Sequence, residues 1–381
     1  MNSGELKVLM VSSDRQILVP DSAVSLRIKE YGALVSELHI VLLSDRSHGL
    51  KDAALASNVW VYPTNSSNKF LRPFDASRIG KKIVFDKKFV RGRGLITTQD
   101  PFECGWAGLK IKHKWRLPLE VQLHTDPFSP YFSGLLNILR KHIAKKVVRK
   151  ADTLRVVSNS LKEKMSTYTK TPISVLPIFV EREKIENAPI VFDLHSRYPW
   201  RFILLTVSRL AAEKDIKTAI RALALVRQKF PETGLLIVGS GPEEGSLKVE
   251  VKKLGLLGAV EFAGWQTDLA SFYKTANVFL QTSRFEGYGL SLVEAGLSGL
   301  PVVTTNVGLA QELENNKDAY IFPINSPALI AGGIVDLLEN NQKRENLKFN
   351  LKNTLRNKLI TKEQFLQTIQ ENWEKCSTLI R

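Results

Sequence analysis

The feature that most constrains the fold of this chain is a regular alternation of short β-branched runs with amphipathic stretches. In the second half, the run Phe202–Val207 is followed by the amphipathic stretch Ile216–Gln228 and then by the run Gly234–Gly239. The first half shows the same pattern from Lys7–Ser12 onward. Because strand, crossover helix and strand in this order form a parallel unit, the alternation predicts the α/β class.

The same pattern predicts two domains. Residues 181–200 are polar and lack periodicity, and at roughly 150 residues per domain the 381-residue chain has room for two. We expect two Rossmann-like doubly wound domains facing each other across a cleft, residues 1–180 and 201–360, joined by a linker at 181–200. Residues 361–381 are expected to form a C-terminal helix that packs back toward the first domain. Such sheets bind ligands at the carboxyl ends of their strands.

Composition excludes several classes of protein. With 44% hydrophobic and 24% charged residues, the chain is globular rather than disordered or fibrous. No apolar run reaches the ~18–20 residues of a membrane span, and an early acid, Glu5, argues against a signal peptide. Cys104 and Cys376 form no zinc-binding pattern, so we expect free thiols, no bound metal and a cytoplasmic location.

Positive charge is concentrated in the first half. Residues 1–180 hold 29 Lys and Arg against 15 Asp and Glu, whereas residues 181–381 hold 25 against 23. An asymmetry of this size indicates that the first half meets an anionic partner, such as a membrane surface, a phosphorylated acceptor or a nucleic acid.

The first candidate site segment follows the strand Phe202–Val207. Arg209 and Lys214 lie there between a strand and a helix, and they have the chemistry to clamp a diphosphate, Arg through a fork of donors and Lys as a point charge. A solvated loop without a ligand is the alternative. Gly239 and Gly241, after the next strand, allow a tight turn, but a GxG without a third glycine is more typical of a helix start than of a phosphate site.

Two carboxylates eight positions apart mark the second candidate segment. Glu286 precedes a glycine-containing turn, and Glu294 lies inside the helix predicted at Gly289–Ser298. The free N–H groups at the start of such a helix favour an anion such as phosphate, and carboxylates accept from sugar and ribose hydroxyls. A solvent-facing Glu294 is the alternative. The helix is apolar almost all round, however, and a buried Glu294 needs a partner.

In combination these segments resemble a known family. The run FEGYGLSLVEAGLSGLPVVTTNVG, with SRLAAEK upstream and GSGPEE between them, is similar to the donor half of a GT-B glycosyltransferase of the retaining family 4, the glycosyl transferases group 1 type. Glu286 and Glu294 reproduce the E-x7-E motif of that family. Arg209 and Lys214 reproduce its phosphate-binding R-x4-K motif.

The resemblance implies roles for these residues. Arg209 and Lys214 would hold the diphosphate of a nucleotide sugar. Glu286, which is also a catalytic candidate, would contact the hydroxyls of the donor sugar, and Glu294 would contact the ribose. The other implied donor-binding residues belong to the phosphate cradle or to the position of the nucleobase: Gly287, Tyr288, Gly289, Leu290, Gly264 and Trp265. Trp265 has an alternative as a packing residue, which is the usual role of a tryptophan after a strand.

The first half supplies a second group of candidates at predicted strand ends. His124 follows the strand Leu119–Leu123 and resembles the cleft histidine of the family, so we expect it to be catalytic. Asp100 and Asp126 are candidates for lining the same cleft, with a turn or cap role as the alternative for Asp126. The loop at 12–20 departs from the family because it lacks the usual glycines.

Three basic segments interleave cations with apolar residues: Lys69–Phe74, Lys81–Arg93 and Leu136–Lys150. The last is expected to form a helix whose inward face consists of Ile138, Leu139, Ile143 and Val147. Its basic face suits anionic lipid headgroups or a lipid-diphosphate acceptor, and a solvated surface without a partner is the alternative. No nucleic-acid-binding motif accompanies the charge, so nucleic acid is not expected as a partner.

The resemblance implies transfer of a sugar from a nucleoside-diphosphate sugar to a hydroxyl acceptor, a glycan or lipid-linked glycan, with retention at the anomeric carbon. No DxD occurs in the chain, so we expect no metal and no cofactor, with Arg209 and Lys214 in the metal's place. A sugar-nucleotide epimerase or a phosphorylase on the same scaffold is the enzymatic alternative. A non-catalytic module that binds membranes or nucleic acid is the other.

Overall fold

The computed structural model describes residues 5–130 and 134–379. The chain divides into two compact units, one of Met1–Ile178 together with Thr361–Arg381 and the other of Phe179–Ile360. The predicted α/β class with two Rossmann-like sheets is confirmed.

The strands are β1 (Lys7–Ser12), β2 (Glu37–Leu42), β3 (Ala53–Ala56), β4 (Val59–Pro63), β5 (Gly94–Thr98), β6 (Leu119–Leu123), β7 (Thr153–Val156), β8 (Ile173–Val175), β9 (Phe202–Val207), β10 (Thr233–Val238), β11 (Val260–Gly264), β12 (Val278–Gln281), β13 (Val302–Thr305) and β14 (Tyr320–Phe322). The helices are α1 (Ala23–Gly32), α2 (Arg72–Asp86), α3 (Glu103–Trp115), α4 (Leu135–Lys150), α5 (Asn159–Ser166), α6 (Arg182–Asn187), α7 (Ile216–Val226), α8 (Glu244–Lys253), α9 (Ala270–Thr275), α10 (Leu290–Leu297), α11 (Pro327–Glu339), α12 (Asn341–Lys358) and α13 (Lys362–Thr378).

The first unit is built on an eight-stranded sheet in the order β3-β4-β2-β1-β5-β6-β7-β8. All neighbouring pairs are parallel except β3 with β4. Every residue of β5 and β6 is buried, as expected for strands covered on both faces. Helices α2, α3 and α4 each follow one of the parallel strands β4, β5 and β6, so they begin at the carboxyl edge of the sheet.

The second unit has a six-stranded sheet in the order β11-β10-β9-β12-β13-β14, with every neighbouring pair parallel. Counted from β9, this is the order 3-2-1-4-5-6 of the dinucleotide-binding fold. The order reverses between β9 and β12, so the loops that follow these two strands leave the sheet side by side. Apolar residues of β9, β10 and β12 pack with α7 and α11 in the core of this unit.

The polar segment 181–200, for which the sequence predicts a linker, lies within the second unit. Lys274 Nζ donates to the carbonyl of Glu186 at 2.8 Å. The Trp200 ring covers Gly234 so closely that a Cβ there would lie 1.8 Å from it. The segment lacks periodicity because it packs through separate anchoring residues rather than through one face of a long helix.

The C-terminal helix α13 belongs to the first unit. Trp373 is fully buried there, and its Nε1 donates to Glu120 Oε1 at 3.2 Å. Tyr31 packs edge-on against the same indole, with ring centroids 6.0 Å apart. The chain therefore completes the first unit with its last helix.

Helix α4 differs from the prediction in the face that it buries. Ala144, Val147 and Val148 are buried, whereas Ile138 is 50% and Leu139 59% exposed. The expectation that Ile138 and Leu139 point inward was wrong, because the apolar contact of this helix with the described part of the unit is made by Ala144, Val147 and Val148 in its second half. Among the residues that the structure describes, no helix is both long enough and apolar enough to cross a bilayer.

Candidate functional site

Two loops of the second unit meet where its sheet reverses strand order. One follows β9 and contains residues 208–215, and the other follows β12 and contains residues 282–289. The Arg284 N–H donates to the carbonyl of Glu213 at 2.8 Å, and the Thr282 hydroxyl donates to the carbonyl of Asp215 at 2.9 Å. This is the position at which open α/β sheets bind ligands.

Lys214 and Glu286 form an ion pair across the two loops. Lys214 Nζ lies 2.7 Å from Glu286 Oε1 and 2.8 Å from Oε2, and the two side chains are only 20% and 11% exposed. The Ser283 hydroxyl also donates to Glu286 Oε1, at 2.7 Å. A predicted diphosphate-binding cation and a predicted sugar-binding carboxylate, 72 positions apart in sequence, are therefore in direct contact.

Arg209 lies in the same loop and is more exposed. Its side chain is 69% exposed and pairs with the Glu213 carboxylate. Ion pairs this open to solvent are weak, so the guanidinium can change partners at little energetic cost.

Gly239 and Gly241 bring the loop after β10 against the loop after β9. A Cβ at Gly239 would lie 1.9 Å from the Ser208 carbonyl oxygen, and one at Gly241 would lie 2.3 Å from the Leu210 carbonyl oxygen. Gly239 also has a positive φ of 129°. The two glycines therefore let the backbones of the loops after β9 and β10 pack closely beside the point where the strand order reverses. This packing is a third possible role for the GxG, beside a helix start and a phosphate site.

The predicted phosphate cradle begins helix α10. Gly289 is its N-cap residue with φ 101°, and no side chain caps the helix within the part of the chain that the structure describes. Leu290 is exposed. Tyr288 is buried, and this burial raises the pKa of the Tyr288 hydroxyl to about 12. A Cβ at Gly308 would lie 2.7 Å from Glu286 Cβ, so a third loop packs against this turn. Gly287 lies between Glu286 and Tyr288 in the turn.

Glu294 lies on α10 and has the partner that a partly buried carboxylate needs. The Tyr273 hydroxyl donates to Glu294 Oε2 at 2.9 Å. Burial raises the pKa of Glu294, and the Tyr273 hydroxyl opposes that rise. Glu294 is therefore not solvent-facing, which was the alternative, and it is not a buried glutamate without a partner.

The end of β11 carries the predicted nucleobase position. Gly264 has φ 65°, and its carbonyl accepts from the Gly239 N–H at 2.7 Å, so it joins the loop after β10. Trp265 is 73% exposed, which contradicts the alternative of a packing residue. A large exposed aromatic ring beside this loop offers a stacking surface for a base.

Sequence reasoning did not single out Asp215 and Arg284, which join the two loops. Asp215 takes the left-handed conformation with φ 44°, an uncommon one for a residue with a side chain. Its carboxylate forms an ion pair with the Arg284 guanidinium, whose Nη2 donates to Asp215 Oδ1 at 3.2 Å, and Asp215 Oδ2 accepts from the Thr218 hydroxyl at 2.8 Å. The signal available in the sequence was an Asp at a strand–helix junction, which is common and has no unique interpretation.

In the first unit, His124 is exposed directly after β6. The surrounding protein atoms, followed by the positive charges of Arg155 and Arg27, lower the pKa of His124 to about 4. The imidazole is therefore neutral at physiological pH. A neutral imidazole can accept a hydrogen bond at one nitrogen and donate one at the other.

Asp100 and Asp126 have structural partners in the same unit. Asp100 Oδ1 accepts from the Phe102 N–H at 2.7 Å, near the start of α3, and burial raises the pKa of Asp100. Asp126 is buried, accepts from the Phe128 N–H at 2.8 Å and pairs with Lys164 at 2.6 Å. The turn alternative therefore describes Asp126, and the carboxyl of Asp100 is engaged at a helix start. The described residues contain no group of three or more His, Cys, Asp or Glu side chains arranged to hold a metal ion.

Comparison with known families matches both halves of the chain. The model described as "Glycosyl transferases group 1" matches residues 195–354, and that described as "Glycosyltransferase Family 4" matches residues 37–184.

Similar curated proteins include two bacterial enzymes. The GtfA subunit of a UDP-N-acetylglucosamine--peptide N-acetylglucosaminyltransferase from Streptococcus agalactiae is 29% identical over 225 residues, which is 57% of this chain and 44% of that protein. Alpha-monoglucosyldiacylglycerol synthase from Acholeplasma laidlawii is 25% identical over 273 residues, 64% of this chain and 65% of that protein. In both, the match spans less than two thirds of the relative's length.

Solved structures share the fold over nearly the whole chain. Anabaena Alr3699/HepE, in a complex with UDP, has a TM-score of 0.76 at 19% identity and covers 97% of this chain and 100% of that one. The sucrose-phosphate synthase of Thermosynechococcus elongatus has a TM-score of 0.75 at 17% identity, with 97% and 98% covered. The two Rossmann-like units and this likeness define a protein of the GT-B fold. Within that fold, the chain belongs to the group 1 family of glycosyltransferases.

Proposed function

We propose that this protein transfers a sugar from a nucleoside-diphosphate sugar to a hydroxyl acceptor. The observation that carries the proposal is the convergence of Lys214, Glu286 and the start of α10 at the point where the second sheet reverses its strand order. Membership of the group 1 family supports the same reaction. UDP is the favoured nucleotide, because relatives with UDP in their names or as a bound ligand recur among the similar proteins.

In this proposal the diphosphate lies between the cations of the loop after β9 and the N-terminus of α10. Lys214, Arg209 and the helix N–H groups stabilise the negative charge that develops as the sugar leaves. Because these groups compensate the charge, we propose that the reaction needs neither a metal ion nor a cofactor. Glu294, held by Tyr273, keeps its other carboxylate oxygen for a ribose hydroxyl.

We propose that transfer proceeds with retention of the anomeric configuration, with Glu286 at the donor sugar. Glu286 has three short bonds to Lys214 and Ser283, so its orientation is defined before the donor arrives. The leaving phosphate accepts the proton of the attacking hydroxyl. His124, which is neutral at physiological pH, hydrogen-bonds the donor sugar and needs no change of protonation to do so.

The acceptor is proposed to be a hydroxyl of a glycan or a lipid-linked glycan. A relative whose name gives a glucosyldiacylglycerol as its product supports a lipid among the candidates. The excess of 14 positive charges in residues 1–180 supports an anionic surface as a partner. A cytoplasmic location, peripheral on the inner face of the membrane, fits these features and the two unpaired thiols.

The first test is thermal stability against a panel of UDP- and GDP-sugars, without added metal and then with EDTA. A ligand that binds only the folded protein at ~100 times its Kd stabilises it by about 2.7 kcal/mol. We expect a shift with one nucleotide that survives EDTA and is lost in Lys214→Ala and Glu294→Ala. Lys253→Ala, an exposed lysine at the end of α8, serves as the control and keeps the shift.

Turnover experiments separate the proposal from its enzymatic alternatives. An epimerase would convert the nucleotide sugar without an acceptor, and a phosphorylase of this fold would show the absorbance of pyridoxal phosphate. Proton NMR of the anomeric centre in early product distinguishes retention from inversion. A protein that binds no nucleotide in the panel would contradict the transferase proposal and favour a non-catalytic module.

A further inference from the structure

The first two turns of α4 expose apolar side chains to solvent. Leu135 is 87% exposed, Leu136 56%, Ile138 50% and Leu139 59%. Single exposed leucines are ordinary, but four large aliphatic residues within five positions form a continuous patch. A patch of this kind marks a surface that meets an apolar partner.

A second group of exposed apolar residues lies at the start of α2. Phe70, Leu71 and Phe74 are 62%, 42% and 58% exposed. The Phe74 ring packs against Trp106 of α3, with centroids 4.7 Å apart. The start of α2 is thus connected to the first half of α3.

Contacts on the other side connect α4 to the same part of α3. The Arg140 guanidinium lies 4.4 Å from the centroid of the Phe102 ring and pairs with Glu103 at 2.9 Å. Both apolar groups therefore flank the first turns of α3. We call the seven residues together the apolar rim: Phe70, Leu71, Phe74, Leu135, Leu136, Ile138 and Leu139.

The two helices that carry the rim, and α3 between them, are strongly basic. Helices α2, α3 and α4 contain 13 Lys and Arg against three acids, and α4 has six cations and no acid. Lys82, Lys110, Lys145 and Lys146 are exposed. Apolar side chains at the level of the acyl chains and cations at the level of the headgroups are the pattern of a protein that lies on an anionic membrane.

We propose that the apolar rim inserts into the outer part of an anionic lipid bilayer while the basic faces of α2, α3 and α4 bind its headgroups. This charge complementarity favours a lipid surface over a second copy of the chain, because the basic helix faces of two copies would repel each other. The polyanion of a nucleic acid would satisfy the cations but would leave the exposed aliphatic side chains in water.

The orientation has a consequence for the acceptor. Helices α2, α3 and α4 begin at the carboxyl edge of the first sheet, and His124 follows β6 at that same edge. Docking through the rim therefore brings the end of the sheet that carries His124 to the membrane surface. This step rests on the proposed function: the acceptor hydroxyl belongs to a membrane lipid or a lipid-linked glycan rather than to a free glycan.

The experiment is co-sedimentation of the full chain with vesicles of phosphatidylcholine, with and without phosphatidylglycerol. We expect binding to the anionic vesicles that weakens with salt. Leu136→Ser with Leu139→Ser lowers the partition coefficient at least about tenfold. Lys145→Glu with Lys146→Glu lowers it by more than about tenfold and reduces its salt dependence.

Matched controls lie on the second unit. Leu257→Ser with Phe349→Ser removes two apolar side chains that are 73% and 69% exposed, and Lys252→Glu with Lys253→Glu reverses two exposed lysines. Both control variants should bind vesicles as the wild type does. Equal losses in rim and control variants, or no preference for anionic vesicles, would overturn the docking proposal. A dimer in sedimentation velocity that dissociates in the rim variant would also overturn it, because the rim would then be a protein interface.

A nucleotide melting shift on the same samples separates this proposal from the proposed function. Retention of the shift in the rim variant shows that the variant is folded. A chain that binds the nucleotide but not the vesicles refutes docking alone. A chain that binds the vesicles but no nucleotide refutes the transferase proposal alone.

Discussion

Replacing Glu286 with glutamine tests whether the ion pair with Lys214 opposes donor binding. In the structure the Lys214 ammonium is held by both carboxylate oxygens, at 2.7 and 2.8 Å, in a setting where neither side chain is more than 20% exposed. A diphosphate that recruits Lys214 has to replace that carboxylate. Glutamine has nearly the same shape but no negative charge, so it releases the lysine more easily.

The magnitude follows from the geometry. A hydrogen bond to a charged group contributes about 1.5–3 kcal/mol to stability, and glutamine keeps one acceptor while losing the charge. If about 1.4 kcal/mol of the opening cost disappears, UDP binds about tenfold more tightly to the variant. The same variant should lose transfer activity, because the carboxylate no longer reaches the donor sugar. A kcat/KM lower by about 10- to 100-fold corresponds to one lost charge-assisted hydrogen bond.

Isothermal titration with UDP and steady-state transfer rates measure the two effects separately. Glu213→Gln is the matched control: it makes the same chemical change beside the 69% exposed Arg209, so the Kd for UDP should change by less than about fivefold. The reasoning is refuted if Glu286→Gln, with an unchanged melting temperature, binds UDP no more tightly than the wild type.

Three further outcomes are expected. Tyr273→Phe removes only the hydroxyl that donates to Glu294, so it should raise the pKa of Glu294 further. It should also reduce the preference for UDP over 2′,3′-dideoxy-UDP about tenfold in calorimetry. A purely structural effect would instead weaken the binding of both ligands equally. The His124 pKa of about 4 predicts that its ring does not titrate between pH 5.5 and 8 in NMR, where the His124→Gln variant assigns the signal. Since the native state then binds fewer protons than the unfolded state, this histidine reduces the free energy of unfolding as the pH falls from 6.5 toward 4. A His124 titration in the middle of the pH range would contradict this prediction. Gly239→Ala should lower the melting temperature and weaken nucleotide binding, because its Cβ would meet the Ser208 carbonyl at 1.9 Å, whereas Gly245→Ala, which meets nothing within 4 Å, should do neither.

Local sequence patterns were sufficient for the central strands of the second unit. Apolar β-branched runs predict buried parallel strands because both faces of each strand are covered. Strand β9 matches the predicted run Phe202–Val207, and β10 lies within one residue of the predicted run Gly234–Gly239. Candidate site residues were found because ligand-binding groups follow strand ends. Helix α2 was not predicted, because lysines and exposed aromatic residues obscure its periodicity.

Contacts between distant segments had to come from the tertiary structure. The bond between Lys214 and Glu286 depends on β12 lying beside β9, and strand order is not encoded in the periodicity of either strand. The bond between Tyr273 and Glu294 depends in the same way on α9 packing against α10. Neither partner's local sequence indicates the other.

Burial of a single side chain is also decided by its three-dimensional neighbours. Trp265 and Leu139 belong to residue types that are usually buried, and both are exposed because none of the described elements of their own unit covers them. The sequence by itself determined the α/β class, the strand ends and the candidate motifs, since these depend on near neighbours in the chain. Only the tertiary structure decided which of those motifs touch and which apolar faces remain open to a partner, since both depend on packing between segments far apart in sequence.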